Sequence, residues 1–346
     1  MRVLLVSVKS KKIYGGIATW TDYFLESCKV SGIEVHLVNT EVVGKRLETE
    51  TASRDFLDEY KRTKRIFGDL KSFLSSNSYS AVHLNTSCGT LGIIRDYLIA
   101  KKIKKNNLRL ITHYHCDIPD WVKNRLGKHY LKKLCGISDV NVVLCNRSKK
   151  YLEDNFGASC IIMPNFVNDE LVLNTPKEIK GEIKTAAFVG RVCRAKGADK
   201  VLELAKRFPD ITFKLIGKPD DDVVKSDSPV NVEIPGTMSH EDLIKHLDEA
   251  DLFVLPSISE GFSLALTEAM ARGIPIVATD VGANKDMLSG GCGIVTAVGD
   301  VDAMEKAICE LDSIEKRREM SLHSVEKVRE NYVSSVVINR ILEMYK

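Results

Sequence analysis

Short, almost wholly apolar runs, separated by helix-length segments, constrain this chain more than any other feature. VLLVSV (3–8), VHLVN (35–39), AVHLN (81–85), RLITHY (109–114) and VNVVLC (140–145) occupy the first half. TAAFVG (185–190), ITFKLIG (211–217), VNVEI (230–234), DLFVLPS (251–257) and IPIVATD (274–280) occupy the second. A strand with one wet face alternates polar and apolar residues. Runs this continuous are buried on both faces, as in parallel sheets covered by helices. A helical pattern from about Gly16 to Val30 follows the first run, and comparable segments separate the others. The expected class is α/β, with doubly wound parallel sheets.

The stretch PNFVNDELVLNTPKEIKGEIK (164–184) interrupts the alternation with two prolines and little periodicity, which marks it as the expected linker. Residues 1–165 and 166–331 then form two Rossmann-like domains, a division that suits 346 residues. The chain ends in a helical stretch, 332–346. No run of eighteen apolar residues occurs, so no membrane span is expected. The N-terminal run is short and closed off by Lys9, Lys11 and Lys12, which reads as a buried strand rather than a leader peptide. Nine cysteines lie scattered without a CxxC pair, several inside apolar runs, as Cys145 does. That usage points to reduced, packed thiols, no zinc site and a cytoplasmic setting.

Net charge is +3, unevenly spread: residues 1–165 hold 27 Lys and Arg against 16 Asp and Glu. A basic first half suits an anionic neighbour, whether nucleic acid, a membrane surface or a phosphorylated acceptor. No nucleic-acid recognition motif accompanies it.

Ligands of doubly wound sheets bind beyond the carboxyl ends of strands, and the informative polar residues fall there. Gly15 and Gly16, after the first run, open a helix and let a backbone approach an anion; they do not complete the GxGxxG fingerprint of NAD sites. Arg191 and Lys196 follow FVG just before another helix, placing a bidentate fork and a mobile point charge where a diphosphate can be neutralised. Two solvated surface cations would read the same way. The densest segment is LPSISEGFSLALTEAMARGIPIVATD (255–280). Ser263 is the expected N-cap, with Gly273 and Pro275 stopping the helix. The amides of Gly261, Phe262 and Ser263 are placed to meet an anion at the helix start. Glu260 stands at the loop tip, suited to sugar hydroxyls. Glu268 lies among Leu264, Ala265, Leu266, Ala269 and Met270, so its carboxylate needs partners, and the two hydroxyls of a ribose edge match it.

GG after the first strand, FVGR with KG shortly after, LIGKP, IPGTMSHEDL, ADLFVLPS and EGFSLALTEAMARGIPIVAT stand in order along the chain. In these it resembles the GT-B glycosyltransferases, and within them glycosyltransferase family 4 (group 1), whose Glu-x7-Glu pattern corresponds to Glu260 and Glu268. The likeness spans the chain, strongest over 185–300. It implies two Rossmann-like domains facing across a cleft, with acceptor bound by the first and nucleotide sugar by the second, and a C-terminal helix crossing back to the first. It implies a retaining transfer of a hexose-type sugar from a UDP- or GDP-sugar to a glycan or lipid-linked acceptor, without metal or cofactor. Arg191 and Lys196 would hold the donor pyrophosphate, helped by the loop at Gly15 and Gly16. Glu268 would hold the ribose, Glu260 and the following amides the sugar, and backbone near Thr237 and Met238 the base. A first-domain histidine near the reacting centre matches His115. The chain departs from the pattern at Phe166 and Asn168, where Gly and Asp are usual, and at Asp286, where Glu is. A GT-B sugar-nucleotide epimerase and a non-catalytic sugar-nucleotide-binding protein are the competing readings.

Two basic segments remain. IPDWVKNRLGKHYLKKLCG (118–136) reads as one helix, with Trp121, Val122, Leu126, Tyr130 and Leu134 interleaved with Lys123, Arg125, Lys128, Lys132 and Lys133. DYLIAKKIKK (96–105) repeats the theme. Such helices suit peripheral contact with an anionic membrane, here its inner face.

Overall fold

The computed structural model describes residues 1–10, 15–44, 56–86, 88–175, 177–179, 181–220, 223 and 228–346. Lys11, Lys12 and Tyr14 beside the first turn, and Pro176 and Lys180 of the expected linker, lie outside these. The chain divides into two compact units: Met1–Asn165 with Ser334–Lys346, and Phe166–Val333.

In the first unit, β1 (Arg2–Ser7), β2 (Glu34–Asn39), β3 (Ala81–Thr86), β4 (Leu110–Tyr114), β5 (Val140–Val143) and β6 (Cys160–Ile162) form one sheet ordered β2-β1-β3-β4-β5-β6. Every neighbouring pair is parallel. The strand order reverses between β1 and β3. Leu4, Val6, Val82, Leu84 and Leu110 build the core together with Ile93, Ile99 and Ile103 from the helix Thr90–Lys104. The C-terminal helix Ser334–Glu343 packs on the helix Gly16–Val30.

The second unit repeats the plan with β7 (Thr185–Val189), β8 (Thr212–Ile216), β9 (Val232–Gly236), β10 (Leu252–Leu255), β11 (Ile276–Thr279) and β12 (Ile294–Thr296). Their order is β12-β11-β10-β7-β8-β9, all parallel. Here the reversal falls between β7 and β10. Phe188, Phe213, Leu215, Leu252, Val254 and Val277 centre its core.

Four details differ from the sequence reading. The expected strand at 230–234 begins two residues later, leaving Val230 fully exposed. The segment 118–136 is two helices, Ile118–Trp121 and Arg125–Ile137, because Asn124 caps the second by accepting from Gly127 N at 2.6 Å. The expected linker is a strap on the second unit: Val172, Ile179 and Ile183 are buried. Lys177 Nζ donates to the carbonyls of Asp248 and Ala250, both at 2.7 Å. Finally, the thiols are not all reduced, since Cys88 and Cys116 form a disulfide between the loops after β3 and β4. Their separation of 28 residues carries no spacing signal.

Candidate functional site

In the second unit the loops after β7 and β10 emerge side by side at the strand-order reversal, where an open α/β sheet leaves its crevice. Arg191 and Lys196 lie in the first loop, Glu260 in the second. Lys196 Nζ and Glu260 Oε1 are 2.7 Å apart, and Ser257 Oγ donates to the same oxygen at 2.8 Å. The Glu260 side chain is only 9% exposed, so these partners take the place of solvent around its carboxylate. Arg191 stands at the loop start, its side chain 44% exposed and its Nε 3.8 Å from Asp220.

Glycines bring the loops this close. Gly197 has φ +76°, and a Cβ there would fall 2.1 Å from the carbonyl oxygen of Pro256. Gly282, in the loop after β11, has φ +54°, and its Cβ would fall 2.2 Å from the Glu260 oxygen. Ile258 N bonds Ala195 O and Ala283 N bonds Gly261 O, each at 3.1 Å, so three loops are stitched together. Gly261 and Phe262 lead into Ser263, which caps the helix Leu264–Ala271 by accepting from Leu266 N at 3.2 Å.

Residues Leu266 to Ala271 of that helix are all buried, Glu268 among them at 5% exposure. Its partner is His240, whose Nε2 lies 3.0 Å from Oε1. The hydrogen bond with Glu268 raises the His240 pKa above 6.5, against the opposing effect of burial. Met238 lies half-buried in the turn from β9 to the helix His240–Glu249, capped by Ser239. One unit therefore brings together Lys196 with Glu260, and Glu268 with His240. Arg191 and Met238 stand in its loops. His240 is the residue that sequence reasoning missed. Its signal was modest: a histidine at the first helical position after a strand, within SHED.

His115, Gly15 and Gly16 belong to the first unit. Gly15 is extended, φ −170°, and a Cβ at either glycine would meet nothing within 4 Å. The fold itself does not demand glycine at either position. His115 follows β4 and is half-buried, yet neither ring nitrogen reaches solvent. Burial, then His83 nearby, pushes its pKa down to about 3. As a neutral imidazole it can donate one hydrogen bond and accept another, and it is a poor proton acceptor. Its loop is clamped from both sides. The Cys88–Cys116 disulfide holds one. On the other, buried Asp117 accepts from Ser148 Oγ at 2.9 Å and pairs with Arg147, and Ser148 Oγ also accepts from Ile118 N at 3.0 Å. Asp117 was also missed, because its partners lie about thirty residues away.

The family described as "Glycosyl transferases group 1" matches residues 173–325, and "Glycosyltransferase Family 4" matches 14–171. Among curated proteins, the 2-deoxystreptamine N-acetyl-D-glucosaminyltransferase of Niallia circulans is 26% identical over 78% of this chain and 76% of its own. Among solved structures, sucrose-phosphate synthase from Thermosynechococcus elongatus superposes with a TM-score of 0.78 at 17% identity, covering 99% of this chain and 98% of that one. Anabaena Alr3699/HepE in complex with UDP-glucose superposes with a TM-score of 0.75 at 15% identity, covering 99% and 98%.

Proposed function

Since the chain belongs to the group 1, family 4 glycosyltransferases of GT-B fold, we propose that it moves a hexose-type sugar, with retention of anomeric configuration, from a UDP- or GDP-sugar to a glycan or lipid-linked acceptor. The observation that carries this is the pairing of Lys196 with a nearly buried Glu260 at the β7–β10 reversal, with Arg191 in the same loop. As the bond to the anomeric carbon breaks, negative charge collects on the leaving diphosphate. Lys196 and Arg191 neutralise it, in the role a metal ion plays elsewhere. Glu260, already oriented by Lys196 and Ser257, accepts from sugar hydroxyls, with the amides of Gly261, Phe262 and Ser263 beside it. Glu268 takes the ribose hydroxyls, and backbone near Met238 meets the base. Gly15 and Gly16 leave room for the pyrophosphate, and His115 stands near the reacting carbon, where its ring turns to bring a now covered nitrogen to the sugar. A UDP donor has support from the relative solved with UDP-glucose.

A hydrolysis screen over UDP-, GDP- and ADP-hexoses tests this reading. One UDP- or GDP-sugar is expected to be consumed, with EDTA without effect and the product anomer, read by proton NMR, matching the donor. No turnover of any donor, an inverted product or strict Mg²⁺ or Mn²⁺ dependence would contradict it.

The first unit's surface favours a membrane-borne acceptor. The expected apolar stripe divides: Val122 and Leu134 are buried, whereas Trp121 and Leu126 are 57% and 53% exposed. Lys123, Arg125 and Lys128, close to those two in sequence, are exposed as well. Exposed large apolar side chains interleaved with cations suit an anionic lipid interface. Co-sedimentation with anionic but not zwitterionic vesicles, weakening with salt and on replacing the three cations by Ser, is the expected result. Indifference to anionic vesicles at low salt would mean that the acceptor is soluble.

A further inference from the structure

The interior of the first unit holds a chain of rings that the proposed mechanism does not use. Tyr345, the penultimate residue of the sequence, is 2% exposed, and His83 on β3 and His113 on β4 are fully buried. The Tyr345 hydroxyl lies 2.6 Å from His83 Nδ1, and His83 Nε2 lies 3.3 Å from His113 Nδ1. The His113 ring rests against His115, centroids 4.0 Å apart. Trp20 touches all three imidazoles, at 5.3, 5.5 and 5.1 Å from His83, His113 and His115. Arg109 separately ties down this end of the chain by donating to Met344 O at 2.8 Å.

Proton positions follow from the charge state of each ring and from donor and acceptor strength. Burial lowers the pKa of His83 to about 3 and that of His113 well below its ordinary value, so each ring carries one proton. Burial raises the Tyr345 phenol well above 10, so it keeps its own. That proton has His83 Nδ1 as its acceptor among the described residues. Either direction leaves one buried donor unpaired among the described residues, but a phenol is a stronger donor than a neutral imidazole and an imidazole nitrogen a stronger acceptor than a phenol oxygen, so the 2.6 Å contact runs from Tyr345 to His83. Tyr345 therefore donates to Nδ1, His83 holds its proton on Nε2 and donates to His113 Nδ1, and the His113 proton is forced to Nε2. His113 Nε2 has no partner among the described residues.

We infer that Tyr345 and His83 are positioning residues, which fix the tautomer of His113 and hold its ring against His115. The inference rests on the reading of His115 as a group acting at the donor sugar. It makes Tyr345 a determinant of turnover at the carboxyl end of β4.

Two measurements test it. Nitrogen-15 NMR on histidine-labelled protein, with resonances assigned by single His→Gln variants, reads tautomers without any substrate. His83 and His113 should both be neutral with the proton on Nε2, and Tyr345→Phe should move the His113 proton to Nδ1 or mix the two forms. A Nδ1 proton on His113 in the parent protein, or unchanged spectra in Tyr345→Phe, overturns the inference. The second is hydrolysis of the donor found by the screen. Tyr345→Phe and His83→Leu should each lower kcat at least about tenfold at unchanged donor KM. His83→Gln, which keeps an N–H near the Nε2 position, should restore it. Loss of turnover in His115→Ala with parent rates in Tyr345→Phe and His83→Leu would overturn the positioning role and leave the proposed function standing. Parent rates in His115→Ala would remove the His115 assignment and the purpose of the chain together. Circular dichroism melts establish that each variant is folded.

Discussion

Lys196→Ala removes two things at once, and the geometry allows them to be separated. Lys196 lies 2.7 Å from a Glu260 side chain that is only 9% exposed, and Ser257 is the carboxylate's other side-chain hydrogen-bond partner. Breaking a fully buried pair costs about 3–5 kcal/mol. The Lys196 side chain is 33% exposed, so water screens part of that interaction. The expected loss of stability is therefore about 1.5–3 kcal/mol, the range for a hydrogen bond to a charged group. Turnover should fall further, by about 10²–10³, because the cation also faces charge that develops only as the donor bond breaks. Glu260→Gln separates the effects. A neutral amide at position 260 no longer needs a cation, so the double variant Lys196→Ala, Glu260→Gln should recover most of the lost stability. Its affinity for the bare nucleotide diphosphate should stay as weak as in Lys196→Ala, because nothing has replaced the phosphate contact. Denaturant unfolding gives the first quantity and calorimetry with UDP and GDP the second. If the double variant binds diphosphate as tightly as Glu260→Gln alone, Lys196 serves only Glu260 and the phosphate assignment is wrong.

Gly16→Ala should stabilise the protein by about 0.5 kcal/mol, since it opens a helix and its Cβ would meet nothing, yet lower donor turnover; a melting-temperature rise with unchanged turnover would show that the space serves no ligand. Gly197→Ala should destabilise by at least about 1–3 kcal/mol in thermal unfolding, because its φ of +76° and the nearby Pro256 carbonyl leave no room. Glu268→Gln should weaken UDP or GDP binding in calorimetry, while Glu260→Gln spares it and weakens only the sugar-bearing donor; equal losses would mean one is misplaced. Because Glu268 raises the His240 pKa above 6.5, the stabilisation from that pair is full below about pH 6.5 and fades as pH rises through the higher folded value. His240→Gln should remove this component from a plot of unfolding free energy against pH.

Each of the ten apolar runs became a strand: those inside the sheets are largely buried, which leaves a mark that needs no knowledge of the partner strand, while β2 and β9, at sheet edges, are apolar enough to read the same way though only partly buried. The two strands that left none, Cys160–Ile162 and Ile294–Thr296, are three-residue edge strands. In the first of them Ile161 points to solvent at 43% exposure. The strap over 166–184 was misread for a related reason. Its buried apolar residues, Phe166, Val167, Val172, Ile179 and Ile183, follow no helical or strand period, and an aperiodic contact cannot be told from a linker by periodicity alone.

Within the candidate site, legibility divides by sequence distance. Ser263 as a cap, Gly273 as a stop at φ +62° and the burial of Glu268 all follow from residues within a few positions. The pairs that give those residues their chemistry span 64 positions for Lys196 with Glu260 and 28 for His240 with Glu268. Tyr345 and His83 are 262 apart. Contacts of that kind are set by which strands are neighbours, and the apolar runs specify strands without specifying their order. Once β7 and β10 are known to lie side by side, the loops that follow them must meet, and a lysine in one and a glutamate in the other become a pair by necessity. Sheet order therefore separates a list of candidate residues from a site. The Lys196 cycle tests that step most directly, because neither residue has a partner across the crevice unless the order is right.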